Sequence, residues 1–193
     1  MSGVSEPIEI ALLVADALER AGIEYFLGGS VASSLVGQPR FTRDIDFVVH
    51  MGEAQVTALI AALGPDFDVD DVALRRAAKE RRSWNIFHSP TVFRIDLFIL
   101  KGSEYDAETL VRRQRKEISP GRSLYISSAE DIVLRKLLWF KEGGEVSSQQ
   151  MNDVVEVLRV QGPKLQHRYL DVWAPRLGIE ALLKKARQSA SWS

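Results

Sequence analysis

Leu27-Gly28-Gly29-Ser30-Val31-Ala32 and, a little further on, Arg40-Phe41-Thr42-Arg43-Asp44-Ile45-Asp46-Phe47-Val48-Val49 decide how this chain reads. In the first segment a turn of two glycines and a serine leaves a short apolar strand and opens a short apolar helix. The second becomes a strand with two aspartates one residue apart. Side chains two apart on a strand share a face, so Asp44 and Asp46 point one way while Ile45, Phe47 and Val49 point into the core. Two carboxylates side by side form a hard, oxygen-rich anionic site of the kind Mg²⁺ accepts. The Gly-Gly-Ser turn at a helix N-terminus presents backbone N–H groups and the positive end of the helix dipole, which favour a phosphate. Each segment alone has a plain structural meaning, a turn for one and a solvated strand edge or cap for the other. Their succession sets a metal site beside a phosphate cradle, the apparatus of phosphoryl or nucleotidyl transfer.

A third acid belongs to the argument. The alternation over 91–100 predicts a strand with Val92, Arg94, Asp96 and Phe98 on one face and Phe93, Ile95, Leu97 and Ile99 on the other. Asp96 sits mid-strand between Ile95 and Leu97, where an isolated ionised carboxylate is costly. It needs a cation, and there are two sources: a metal shared with Asp44 and Asp46, or Arg94 in a surface pair.

This order of motifs resembles the signature of the nucleotidyltransferase superfamily that includes DNA polymerase β. The loop Arg40-Phe41-Thr42-Arg43 ahead of Asp44-Ile45-Asp46 is similar to the variant found in AbiEii/AbiGii-type nucleotidyltransferases of bacterial toxin–antitoxin systems. Ala129-Glu130-Asp131-Ile132-Val133-Leu134-Arg135-Lys136-Leu137, then Gly143-Gly144-Glu145-Val146-Ser147 and Gln149-Gln150-Met151-Asn152-Asp153, resemble the helical tail of small proteins of that kind. The resemblance implies an α/β (α+β) fold: a polymerase-β-like mixed sheet with flanking helices over 1–127, followed by a C-terminal helical bundle over 128–193. It implies Asp44, Asp46 and Asp96 as catalytic residues and as ligands of Mg²⁺ or Mn²⁺. Gly28, Gly29 and Ser30 would grip the phosphates of an NTP, with Arg40, Thr42 and Lys136 also on the nucleotide. Asp153 would support the site by holding Lys136 or Arg135. The acceptor hydroxyl stays open between RNA, a protein and a small molecule, and a cognate antitoxin or toxin is an implied partner. A catalytically silent nucleotide-binding or partner module of the same fold is the alternative. A metal-dependent nuclease also clusters acids but has no use for the glycine cradle.

At 193 residues the chain suits one domain, or one domain with a small appendage. A formal net charge of −1 advertises no global field for nucleic acid. Local basic runs exist at 75–82 and 112–116, each either a solvated face or a phosphate-tracking patch. With no cysteine, thiolate metal sites and disulfides are excluded. The apolar run 8–18 is interrupted by Glu9 and Asp16 and lacks a basic leader, so neither a signal peptide nor a membrane span is expected. The expectation is a cytoplasmic protein with no membrane partner.

Periodicity and caps predict helices over 7–21, 31–36, 53–63, 72–82, 104–114, 129–142, 148–160, 165–173 and 179–187. Strands are expected at 23–27, 44–50, 83–88 and 91–100, a brief one near 66–71, and two joined by Pro120-Gly121. Ser30 and Ser128 are expected as N-caps, and Ser147 with Gln150 as a capping box. On the wheel of 129–142, Asp131, Arg135 and Glu142 form the wet face. Lys136 falls on the apolar side, either snorkelling outward or aimed at an anion.

Overall fold

The computed structural model describes residues 5–36 and 44–190. Arg40 and Thr42 lie outside the described residues. Two compact units divide the chain, Met1–Val31 with Phe41–Ser127 and Ala32–Arg40 with Ser128–Ser193.

The first unit is a mixed seven-stranded sheet with helices. Its elements are α1 (Glu6–Arg20), β1 (Glu24–Leu27), the start of α2 (Gly29–Val36), β2 (Asp44–His50), α3 (Val56–Leu63), β3 (Phe67–Asp68), α4 (Asp71–Glu80), β4 (Trp84–His88), β5 (Phe93–Ile99), α5 (Glu104–Arg112), β6 (Gln114–Ser119) and β7 (Arg122–Ile126). One turn of 3₁₀ helix, Glu53–Gln55, leads into α3. The strand order is β3-β4-β5-β2-β1-β7-β6. β2 therefore lies in the interior of the sheet, antiparallel to β1 and parallel to β5.

The alternation in β2 sorts its side chains. Ile45, Phe47 and Val49 are fully buried, and Asp44 is exposed. Tyr25 and Phe47 meet edge to face at 5.6 Å, and the Tyr25 hydroxyl donates to Glu19 of α1, which marks this as the helix-covered face. A fully buried phenylalanine such as Phe47 contributes about 1.5–3 kcal/mol. On the opposite face Phe26, Val48, Leu100 and Leu110 make a second core, with Phe98 and Tyr125 packed on it. That core takes the half of the face below the acids.

The second unit holds α6 (Ala129–Glu142), α7 (Ser148–Gln161), α8 (His167–Arg176) and α9 (Glu180–Ala190), with a 3₁₀ turn at Gly162–Lys164. The predicted cap is present, since Ser128 Oγ accepts the Asp131 N–H at 3.1 Å. Ser147 Oγ accepts from Gln150 N–H, but the Gln150 side chain accepts from Lys136, so the expected capping box is not closed in the reciprocal sense. Two further expectations are corrected. Asp131 is not on a wet face: it is fully buried, because Ser128 Oγ and the Tyr169 hydroxyl donate to its carboxylate at 2.6 and 2.7 Å. The helix expected over 165–173 also runs further, with Pro175 inside α8 and its end at Arg176.

No helix among the described residues is long and apolar enough to cross a membrane.

Candidate active site on the acid face of the sheet

Parallel pairing of β2 with β5 sets Asp44 opposite Arg94 and Asp46 opposite Asp96. Register partners share a face, so the three acids expected from the sequence do come together, on two neighbouring strands. Antiparallel pairing of β4 with β5 adds Asn85 opposite Asp96 and Phe87 opposite Arg94 on the same face. Asn85 and Phe87 were missed in the sequence reading. The period of two over 84–88 could have placed them on a common face, but only the strand order shows which face.

The glycine turn joins this site from the other side, through β1. Gly28 N–H donates to the Asp46 carbonyl at 2.8 Å. Gly29 has φ +56°, a left-handed value that side chains resist, and a Cβ there would overlap the Asp46 carboxylate and approach its Cβ to 2.8 Å. The glycine is needed twice, for its backbone angle and for the space it leaves. α2 starts at Gly29, two residues ahead of the expected Val31, so Ser30 lies in its first turn. First-turn amides have no acceptor inside their own helix, which suits an anion.

Arg94 lies among the acids. Its Nη2 and Nε donate to Asp96 Oδ2 at 2.8 and 3.1 Å, and its Nε stands 3.4 Å from Asp44 Oδ1. The Asp96 side chain is 17% exposed against 52% for Asp44. Burial pushes the Asp96 carboxyl above its ordinary value, against the opposing pull of the Arg94 guanidinium. The hydrogen bond to Asp96 in turn raises Arg94. Of the two cation sources considered for Asp96, Arg94 is the one beside it.

As placed, no group of three or more acidic, histidine or cysteine side chains among the described residues could hold a metal ion. The donor set nevertheless fits a hard divalent cation by its chemistry: three carboxylates on one face, from adjacent register positions. Arg94 would have to give way to such a cation.

Lys136 belongs to the helical unit. It is 2% exposed and its ammonium donates to Asp153 Oδ2 at 2.7 Å and Gln150 Oε1 at 3.2 Å. It does not snorkel. Asp153 holds Lys136, one of the two partners expected for it.

The basic runs are tied up locally. Arg75 pairs with Asp71 and donates to Thr57, while Arg76 and Arg82 both pair with Glu80, whose carboxyl their hydrogen bonds lower. Arg81 donates to the Lys101 carbonyl. In the second run Arg113 pairs with Glu24 and lies over the Tyr125 ring at 4.8 Å, and Arg115 donates to Ser123.

No family model matches the chain, and no curated protein matches its sequence. Solved structures do resemble it. An antigenic nucleotidyltransferase-like protein from Paracoccidioides brasiliensis superposes with a TM-score of 0.57 at 19% identity, over 95% of this chain and 93% of that one. The antibiotic-resistance factor ANT(2'')-Ia gives 0.58 at 14% identity over 95% and 99%. The lincosamide antibiotic adenylyltransferase LnuA, solved with lincomycin bound, gives 0.50 at 17% over 81% and 98%. The chain has the mixed α/β fold of nucleotidyltransferases.

Proposed function

We propose that the protein is a divalent-metal-dependent nucleotidyltransferase that moves an NMP from an NTP to an acceptor hydroxyl. One observation carries the reading: Asp46 and Asp96 are register partners beside Asp44, and the cradle glycine Gly29 packs on the Asp46 carboxylate. Asp44, Asp46 and Asp96 would hold Mg²⁺ or Mn²⁺, which supplies Lewis-acid polarisation of the α-phosphate and offsets charge on the leaving group. Gly28, Gly29 and Ser30 grip the β- and γ-phosphates, and Arg40 and Thr42 complete the nucleotide side in this reading. The acceptor oxygen bonds to the α-phosphorus as the bond to the β-phosphate oxygen breaks, and pyrophosphate leaves. Asp96, its carboxyl raised by burial, takes the hydroxyl proton and passes it to solvent.

Because the arginines of 75–82 are engaged by carboxylates and carbonyls, a small hydroxylated acceptor is favoured over RNA. ANT(2'')-Ia and LnuA, named for antibiotics, are consistent with that choice. A toxin–antitoxin role extends the same proposal, and growth arrest on induction, abolished by Asp46→Ala, is its readout. The Arg94 contacts favour one second reading, a silent nucleotide-binding module.

The test is transfer of label from an α-³²P NTP across acceptor panels. Asp46→Ala is expected to lower transfer by about 10³-fold or more, the scale of losing several kcal/mol of charge stabilisation. Undiminished transfer ends the mechanism, and metal-dependent NTP binding without turnover supports the silent module.

A further inference from the structure

We propose that Arg94 sets the order of loading: its guanidinium holds Asp44 and Asp96 closed to a free divalent cation, so the cation enters with the NTP and not before it. The inference rests on the nucleotidyltransferase reading of the acid face but concerns a step that precedes chemistry.

The geometry is specific. Two N–H groups of Arg94 converge on one oxygen of Asp96, and the same Nε reaches toward Asp44. Those are oxygens a metal would need, on the acids at either end of the trio. A fixed positive charge between them also repels a dication at short range, where screening is weak for the less exposed Asp96. Arg94 is held by its own strand, two residues from Asp96, and its side chain is 44% exposed, so it has solvent to swing into. An incoming triphosphate changes the balance. It brings its own oxygen ligands to the cation and an anionic partner for the released guanidinium, which binds phosphate well. Free metal has neither advantage.

Arg94 is accordingly a positioning residue and not a catalytic one, and the readout is metal binding without turnover. Mn²⁺ titrations followed by electron paramagnetic resonance, without nucleotide, compare the wild-type chain with Arg94→Gln and Arg94→Lys. Asp46→Asn serves to show that binding is at the acids. Arg94→Gln is expected to bind Mn²⁺ about tenfold or more tighter than wild type, the scale by which groups around metal ligands tune affinity. Arg94→Lys, whose point-charge ammonium cannot fork across both acids, is expected to fall between. With a non-hydrolysable NTP present, the gap between wild type and both variants should shrink. Equal or weaker Mn²⁺ binding by the variants, with melting curves that show them folded, overturns the proposal. If Arg94→Gln does not fold, Arg94→Lys carries the same test. Tight Mn²⁺ binding by the variants with no transfer to any acceptor sinks the enzyme reading and leaves the loading order standing. Intact transfer with no change in Mn²⁺ affinity does the reverse.

Discussion

The sheet and the helical unit treat charge in opposite ways. On the sheet, Asp44, Asp46, Asp96 and Arg94 sit on an accessible face, and their contacts are those a ligand could exchange. In the helical unit, Asp131 and Lys136 are buried as deeply as the leucines around them and bound to fixed partners. The first arrangement keeps its charged groups in contacts open to exchange and the second holds them inside the fold. Exposure and partner identity, more than the presence of charged residues, separate a candidate site from a scaffold.

That contrast can be broken at three places. The largest effect is expected from Asp153→Ala, which leaves the Lys136 ammonium buried beside the Gln150 amide oxygen without its carboxylate partner. Removing one member of a buried pair costs about 3–5 kcal/mol, read as a fall in melting temperature, and Lys136→Met in the same background should recover much of it. A small loss that the second change does not recover would mean that the helical unit does not depend on its buried pair. Next is Gly29→Ala, on the sheet side. The new methyl displaces the Asp46 carboxylate, and a misplacement of about 1 Å costs on the order of 10²-fold in rate. Wild-type transfer rates would detach the glycine from the acid. The smallest effect concerns pH. The Asp96 carboxyl stands above its ordinary 3.8, so the folded state binds more protons than the unfolded one in that window. Its contribution to stability is complete below 3.8 and is lost as pH rises through the folded-state value. The melting temperature of Asp96→Asn should therefore gain on wild type as pH climbs past 3.8, and a flat difference would contradict the burial of this group.

Legibility from sequence followed the same divide. β2 was bounded at 44 and 50 by its alternation, and the common face of Asp44 and Asp46 came from the same rule, because a pleat allows two directions only; that Asp96 shares it came from the β2–β5 register. Which strand lay beside which was not legible. Asn85 and Phe87 became part of the site only through the pairing of β4 with β5. Helical wheels were a weaker guide. Lys136 was rightly put on the apolar side, but Asp131 was put in water, since a wheel does not reveal that Tyr169 from another helix will donate to it. The start of α2 was placed at Val31, two residues after the Gly29 at which it begins.

The hydrogen bond from Gly28 to the Asp46 carbonyl has a mechanical consequence. It extends the β1–β2 ladder into the turn itself, so the proposed phosphate grip and the central acid form one rigid jaw. Such a jaw does not gape to admit a substrate; admission falls to side chains that can pivot, and to segments the ladder does not clamp.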